Sequence, residues 1–467
     1  MSTNQHESDP LHAASRRIAE LETELARERE ALRATRQRLA TKEREVVDIH
    51  RSHGWRLINA SRALKSRYLD PLLGLFGISW PRRPPAAPVT SDEVEPRGDR
   101  YDVICLSTCD WDDRFQRPQQ LMARFAAAGH RVFYVSQRFR DVGGAWAATR
   151  KRENVYEVTL RGKPLNVYAD ALGAAACESL RDGLASLRRD VAIDDDAIVV
   201  VQLPFWAPLA RRARAQFGWR IVYDCMDLHA GFRTVRRAVV AQEDALIAEA
   251  DLVCATSSAL EQHVLRKRGD VLLLRNACDF EHFAQTPRTS NARPVIGYYG
   301  AIAEWFDSSL VASVAARRPE WDFVLVGGTY GGDLARLAAL PNVSLPGEQA
   351  YESLPEWLGQ FDVGIVPFKR CSLTDATNPV KLYEMLAAGK PIVSVPIPEV
   401  AALVPLVRLA SNADELEREI DAALREEEDA ADARRAFARE QTWGQRFETL
   451  AGEIERIAAT SAAARPR

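Results

Sequence analysis

Residues Thr374 to Pro391 read Thr-Asp-Ala-Thr-Asn-Pro-Val-Lys-Leu-Tyr-Glu-Met-Leu-Ala-Ala-Gly-Lys-Pro and hold the charged pair best spaced for binding chemistry. Asn378 suits a helix N-cap with Pro379 at the first helical position, Gly389 follows the last turn, and Pro391 opens a strand. Lys381 and Glu384 stand three apart, so they share one face near the helix start. On a cleft wall the carboxylate would accept two hydrogen bonds from a ribose diol, while the first-turn amides and the lysine faced phosphate oxygens. On an open surface the same residues form a helical ion pair worth roughly a few tenths of a kcal/mol.

A second constellation is Tyr223-Asp-Cys-Met-Asp-Leu-His-Ala-Gly-Phe232, in which a strand-like run ends in two acids and an imidazole. Asp224, Asp227 and His229 suit orienting a sugar hydroxyl or accepting a proton from it. The plainer alternative is a structural histidine and a loop-capping aspartate. No Asp-x-Asp metal pair occurs in a suitable loop, and Asp194-Asp-Asp196 reads as a turn before a strand, so no metal or other cofactor is expected.

The elements that must position these residues alternate along the chain. Apolar runs at Tyr101–Ser107, His130–Val135, Ala197–Leu203, Trp219–Asp224 and Asp251–Thr256 are separated by helical stretches. After a loop around Phe283–Arg293 the pattern restarts with Val295–Tyr299, Phe323–Val326, Val343–Leu345, Val363–Val366 and Pro391–Val395. Fully apolar strands alternating with helices predict parallel sheets covered on both faces. The fold class is therefore α/β, with two doubly wound Rossmann-like domains and a cleft between the carboxyl ends of their sheets.

Ahead of them, Ile18, Leu25, Leu32, Leu39 and Val46 recur at a heptad period, but the partner positions Leu21, Glu28, Thr35, Lys42 and Ile49 are apolar only at the ends. This charged helix either self-associates over 18–49 or stands as a solvated helix. From 51 to 83 there are seven Arg or Lys residues and one acid, Asp70, on an amphipathic run bounded by Trp55 and Trp80. Such a segment suits an anionic membrane surface, or packing on protein. The proline-rich stretch after it reads as an extended linker. The division is thus 1–50 charged helix or coiled coil, 51–83 basic amphipathic segment, 84–99 linker, 100–290 first Rossmann-like domain, 291–436 second domain and 437–467 terminal helix.

With 467 residues, 46% hydrophobic and 27% charged, the chain can bury ordinary cores and is not of disordered composition. Its formal charge of -3 averages over an uneven distribution, basic in 51–83 and strongly acidic in 414–429, so local charge says more about partners than the sum; no nucleic-acid partner is expected. Seven scattered cysteines without a Cys-x-x-Cys pair read as reduced residues of a cytoplasmic protein. The N-terminus lacks a signal pattern and no run has the roughly 18 apolar residues of a membrane span, so the expected location is cytoplasmic, with 51–83 peripheral on the inner face of the plasma membrane.

The phrase Asn378 to Pro391 closely resembles the donor-binding signature of GT-B glycosyltransferases of glycosyltransferase family four, in the bacterial surface-polysaccharide branch. In that family the second Glu of a Glu-x7-Glu pattern holds the nucleotide ribose, and Glu384 stands there. Ala376 stands where the first Glu is expected, with Asp375 or Asn378 the candidates to reach the same place. Gly300, in Gly297-Tyr-Tyr-Gly-Ala-Ile-Ala-Glu-Trp-Phe-Asp307, matches the family's loop glycine, but the Arg and Lys pair that grips the diphosphate does not recur in it. Arg275 and Lys381 are the candidates for that task. Trp111-Asp-Asp-Arg-Phe-Gln-Arg-Pro-Gln-Gln-Leu121 resembles the family's first loop and helix, which implies acceptor or donor contacts for Arg114, Gln116 and Arg117. The plainer reading of Arg117 is a surface salt bridge or a helix-start residue. Arg275-Asn-Ala-Cys-Asp279 is similar to the interdomain turn, and Phe437 to Leu450 is similar to the helix that crosses back.

The resemblance spans about Tyr101 to Ile454 and implies retaining, hexosyltransferase-type transfer from a nucleoside diphosphate sugar to an acceptor hydroxyl, while the basic amphipathic segment points to a glycan or lipid-linked acceptor. Asp227, His229 and Asp375 are the catalytic candidates, with Gly300, Arg275, Asn378, Lys381 and Glu384 on the donor. A non-catalytic coiled-coil assembly subunit, a sugar-nucleotide epimerase of the same fold, and a glycoside hydrolase or phosphorylase are the alternatives.

Overall fold

The computed structural model describes residues 88–463 apart from positions 234, 288 and 331–333. The heptad seam of 18–49 and the basic segment 51–83 lie outside the described residues.

Nine strands form the first sheet: β1 (Pro88–Val89), β2 (Val103–Leu106), β3 (Val132–Val135), β4 (Trp146–Arg152), β5 (Val155–Leu160), β6 (Ile198–Val201), β7 (Arg220–Cys225), β8 (Leu252–Ala255) and β9 (Leu272–Leu273), in the order β1-β4-β5-β3-β2-β6-β7-β8-β9. From β5 to β9 the pairing is parallel, and β4 and β1 add an antiparallel edge. The central strands are apolar on both faces because both faces are covered: Val199 and Val201 enter one core, Ile198 and Val200 the other.

The second sheet holds β10 (Val295–Tyr299), β12 (Asp322–Val326), β14 (Val343–Gly347), β15 (Val363–Val366), β16 (Ile392–Ser394) and β17 (Arg408–Leu409). Its order is β14-β12-β10-β15-β16-β17, parallel throughout, with a two-residue pair of β11 (Ile302–Ala303) and β13 (Thr329–Tyr330) beside it. Strand order reverses between β10 and β15, and the crevice beyond the carboxyl ends there is where such sheets bind ligands.

All ten apolar runs singled out above contain strands of these sheets. The β4–β5 pair was not anticipated. Thr149-Arg-Lys-Arg152 on β4 is too polar to signal burial, as befits a strand near the sheet edge, and Asn154 turns the chain with φ 57. The stretch 84–99 corrects the linker reading in part. Pro88–Val89 pair with β4, a position open to proline because edge strands leave one side unpaired, and Val94 is buried in the first core.

The terminal helix Trp443–Ala463 lies on the first domain against the helix Arg117–Ala127. Trp443 is fully buried, and Phe447 meets the ring of Phe125 edge-on at 4.9 Å. Among the described residues no helix is long and apolar enough to cross a membrane.

Candidate functional site

The helix carrying Glu384 runs Val380–Ala387, one residue later than its sequence suggests. Pro379 is the cap residue, and Gly389 closes the helix with φ 71. Glu384 is 5% exposed, and its Oε2 accepts a hydrogen bond from the Tyr299 hydroxyl at 2.8 Å. Burial pushes its carboxyl up to about 7, against the opposing pull of the Tyr299 bond and of Lys381. Burial likewise brings Lys381 down to about 8. Its ammonium sits 5.3 Å from the Tyr298 ring centroid and 5.0 Å from that of Phe368.

Glycines make the close approach possible. Gly300, just beyond β10, has φ 126, and a Cβ there would lie 2.7 Å from Lys381 Cε. Gly327, just beyond β12, has φ 150, and a Cβ there would lie 1.9 Å from the Gly300 carbonyl oxygen. The turns are laced together, with Gly300 N–H donating to Val326 O at 2.9 Å and Gly327 N–H to Gly347 O at 2.8 Å. Bare backbone, one cation and one carboxylate therefore meet at the switch point, a combination suited to phosphates and a diol.

From the first domain, Asp227 comes off the end of β7 half-buried and with no hydrogen-bond or ion-pair partner among the described residues. Burial, aided by Asp224, lifts its carboxyl to about 6. His229 is buried with Nε2 unpartnered, and burial holds the ring neutral, down to about 4. Arg114 reaches across to the second domain: its Nε donates to Glu348 at 2.6 Å and its guanidinium lies 4.9 Å from the Tyr330 ring centroid.

Several other candidates are engaged with protein partners, and Arg275 and Asn378 among them join the two domains. Arg117 is buried and bonded through all three nitrogens to Asp224, Leu274 O, Arg275 O and Asn276 Oδ1. Arg117 opens its helix, as one reading had it, but its salt bridge to Asp224 is buried rather than on the surface. Gln116 stands before the same helix, its N–H donating to Gln119 Oε1 at 3.2 Å. Arg275 faces Glu399 at 2.7 Å and Ser258 at 2.9 Å. Asn378 does not cap its helix; it receives the Asn276 N–H at 2.9 Å and donates to Tyr383 and Glu399, each at 3.0 Å. Asp375 pairs with Arg370 at 2.9 Å on the loop after β15. Ala376 is buried in the first domain's core, and its carbonyl accepts from Ser257 at 2.6 Å.

Tyr299, Gly327, Glu348 and Glu399 were not singled out from the sequence. Val326-Gly-Gly328, two glycines directly after an apolar strand, was the available signal for Gly327. The others act through partners remote in sequence, such as the pairing of Tyr299 with Glu384. Gln202, at the end of β6, is fully buried with both amide atoms unpaired.

Two doubly wound domains with a crevice beyond the carboxyl ends of their sheets make up the GT-B fold. Residues 293–426 match the model of the glycosyl transferases group 1 family, and 116–277 match the glycosyl transferase 4-like domain. TuaH of Bacillus subtilis (strain 168), described as a teichuronic acid biosynthesis glycosyltransferase, is 30% identical over 213 residues. The match covers 40% of this chain and 53% of that protein, so this chain spans about half the length of the curated relative. The fold is shared with sucrose-phosphate synthase from Thermosynechococcus elongatus (TM-score 0.63, 15% identity, 77% of this chain and 100% of that one). It is shared also with Anabaena HepE in complex with UDP and glucose (TM-score 0.57, 16% identity, 76% and 100%).

Proposed function

We propose that the protein transfers a sugar, of hexose type, from a nucleoside diphosphate donor to a hydroxyl of a glycan or lipid-linked acceptor, with retention of anomeric configuration. The observation that carries this reading is the buried Glu384, bonded by Tyr299 and set beside Lys381 at the Gly300–Gly327 turns. Glu384 takes the ribose diol. Lys381 and the amides around Gly300 take the diphosphate, where charge builds as the bond from the anomeric carbon to the phosphate oxygen breaks. The acceptor oxygen bonds to that carbon, and its proton leaves to Asp227, whose carboxyl near 6 suits a base at neutral pH.

His229 orients a sugar hydroxyl, and Asp375, once free of Arg370, reaches toward the transferring sugar. Arg114 exchanges Glu348 for a donor or acceptor oxygen when substrate enters. Arg275 and Asn378 act by holding the two domains in register, Arg117 by bracing β7 against the 274–276 turn of the first domain, and Gln116 by capping the Arg117 helix. No metal or cofactor takes part. The UDP named with HepE and the teichuronic acid pathway named with TuaH favour a uridine donor and a cell-surface glycan. Segment 51–83 then holds the enzyme at the cytoplasmic membrane face, and 18–49 supports self-association.

The test is a thermal-shift screen of UDP, GDP, dTDP and ADP sugars with the full chain, since a ligand selective for the folded state raises its stability. One family of donors should raise Tm by several degrees. A flat response from well-folded protein overturns the reading.

A further inference from the structure

A cavity of about 430 Å³ lies beyond the carboxyl ends of β15, β16 and β17, lined by Asp307, Ser309, Leu310, Ser313, Phe368, Arg370, Val395, Ser411 and Asn412. It is a different place from the Glu384 crevice. The helix Ser308–Arg317, which forms one wall, packs against the helix Ala413–Ala423, whereas Val380–Ala387 packs against Glu428–Arg439. Right-handed crossovers leading from β10 to β12 and from β15 to β16 run in opposite directions along the sheet, so these two helix pairs cover opposite faces. Phe368, 4% exposed, sits at the edge between them and lines the cavity while its ring also meets the Lys381 ammonium at 5.0 Å.

The lining selects a ligand class. Two helices begin at the cavity, but their amides are already met: Asp307 Oδ1 accepts from Leu310 N–H at 3.0 Å and Asn412 Oδ1 accepts from Glu415 N–H at 3.0 Å. Arg370 is paired with Asp375, and Glu415 Oε2 receives the Ser411 N–H at 2.7 Å, so an anion finds no surplus of positive charge. The rim groups are of the kind that pair with hydroxyls: the Ser411 hydroxyl and the Asn412 side chain, which lean on Glu415, and lone pairs of the Ser309 and Ser313 hydroxyls, whose protons go to Asp307 and Ser309 O. Beneath them Phe368, Val395 and Leu310 provide an apolar floor for C–H groups. A rim of hydroxyl and amide over a partly aromatic floor, in a volume within the roughly 300–1,000 Å³ of small-ligand sites, fits a neutral pyranose.

We propose that this cavity is a second carbohydrate site, taking a neutral sugar unit of a glycan on the face of the second domain opposite Glu384. Its occupant touches Phe368 and so bears on the ring that Lys381 faces, which couples glycan occupancy to the donor crevice. The site goes beyond the transferase reading, which motivates a glycan as occupant but is tested separately by the donor screen.

The experiment is saturation-transfer NMR on the full chain with glucose, cellotetraose, maltotetraose and chitotetraose as probes, each with and without excess UDP. At least one probe should give transfer that survives UDP and falls at least fivefold in Ser313→Trp, which fills the cavity, while persisting in Glu384→Ala. Asn412→Gly, which removes rim groups without adding bulk, should weaken the same signal. Transfer from tetrasaccharides alone assigns a chain segment, and equal transfer from glucose assigns a single sugar. Absence of transfer from all four probes, its abolition by UDP, or its persistence in folded Ser313→Trp and Asn412→Gly would each overturn the proposal. Failure of the donor screen alone leaves this readout intact.

Discussion

At the scale of single residues, Glu384 and Tyr299 make the sharpest tests. Replacing Glu384 by Ala removes two hydrogen bonds to a ribose diol, a loss of about 2 kcal/mol or about thirtyfold in donor Kd by calorimetry. Protonation should have the same sense. Glu384 accepts from the diol as a carboxylate, so donor affinity should rise as pH climbs through about 7. Tyr299→Phe takes away a bond that favours the charged form, and the midpoint of that profile should move up by about one unit, the worth of roughly 1.5 kcal/mol. An unmoved midpoint would separate Tyr299 from the carboxylate. Linkage gives a companion sign: a carboxyl raised from 4.5 to about 7 leaves the native state holding the extra proton, so its contribution to stability falls as pH rises across that window.

At the scale of elements, the turns after β10 and β12 and the strut between the Arg117 helix and β7 position these side chains. Gly327→Ala forces a Cβ onto the Gly300 carbonyl at 1.9 Å from a backbone with φ 150. We expect a loss of several kcal/mol, read as a fall in Tm of about 5 °C or more. Arg117→Met strands the Asp224 carboxylate in a buried place, at a cost of about 3–5 kcal/mol. Its signature should be lowered unfolding free energy in urea, with donor Kd in the surviving folded protein changed far less than in Glu384→Ala. The reverse pattern would return Arg117 to the substrate.

At the scale of the whole molecule, the domains meet through polar contacts remote in sequence, Asn276 with Asn378, Ser257 with Ala376, and Arg275 with Glu399. This interface explains why alanine stands at 376. A glutamate side chain there would enter the first domain's apolar core. Ala376→Glu should therefore lower Tm by several degrees without raising transfer activity; a gain in activity at unchanged Tm would show that the loop swings clear and that the acid acts on the sugar.

Much of the fold was legible in the residues themselves. Runs such as Ile198–Val201 are apolar at every position, which only a strand buried on both faces requires, and their alternation with helices implies two parallel sheets. The 381–384 spacing likewise put a cation and a carboxylate on one helix face before any partner was known. What the tertiary structure alone decided was the environment of each charge. Arg117, Arg275 and Asn378 looked as available as Lys381, yet Arg117 is locked inside the first domain and Arg275 and Asn378 bridge the two domains, with partners up to 159 residues away, while Tyr299 reached Glu384 from 85 residues away. Side-chain type and spacing are local properties, but hydrogen-bond partners and desolvation are set by which strand ends the fold brings together. The same phrase, Asn378 to Pro391, therefore supplies a buried carboxylate bonded by Tyr299 at one position and a domain-locking amide six residues before it.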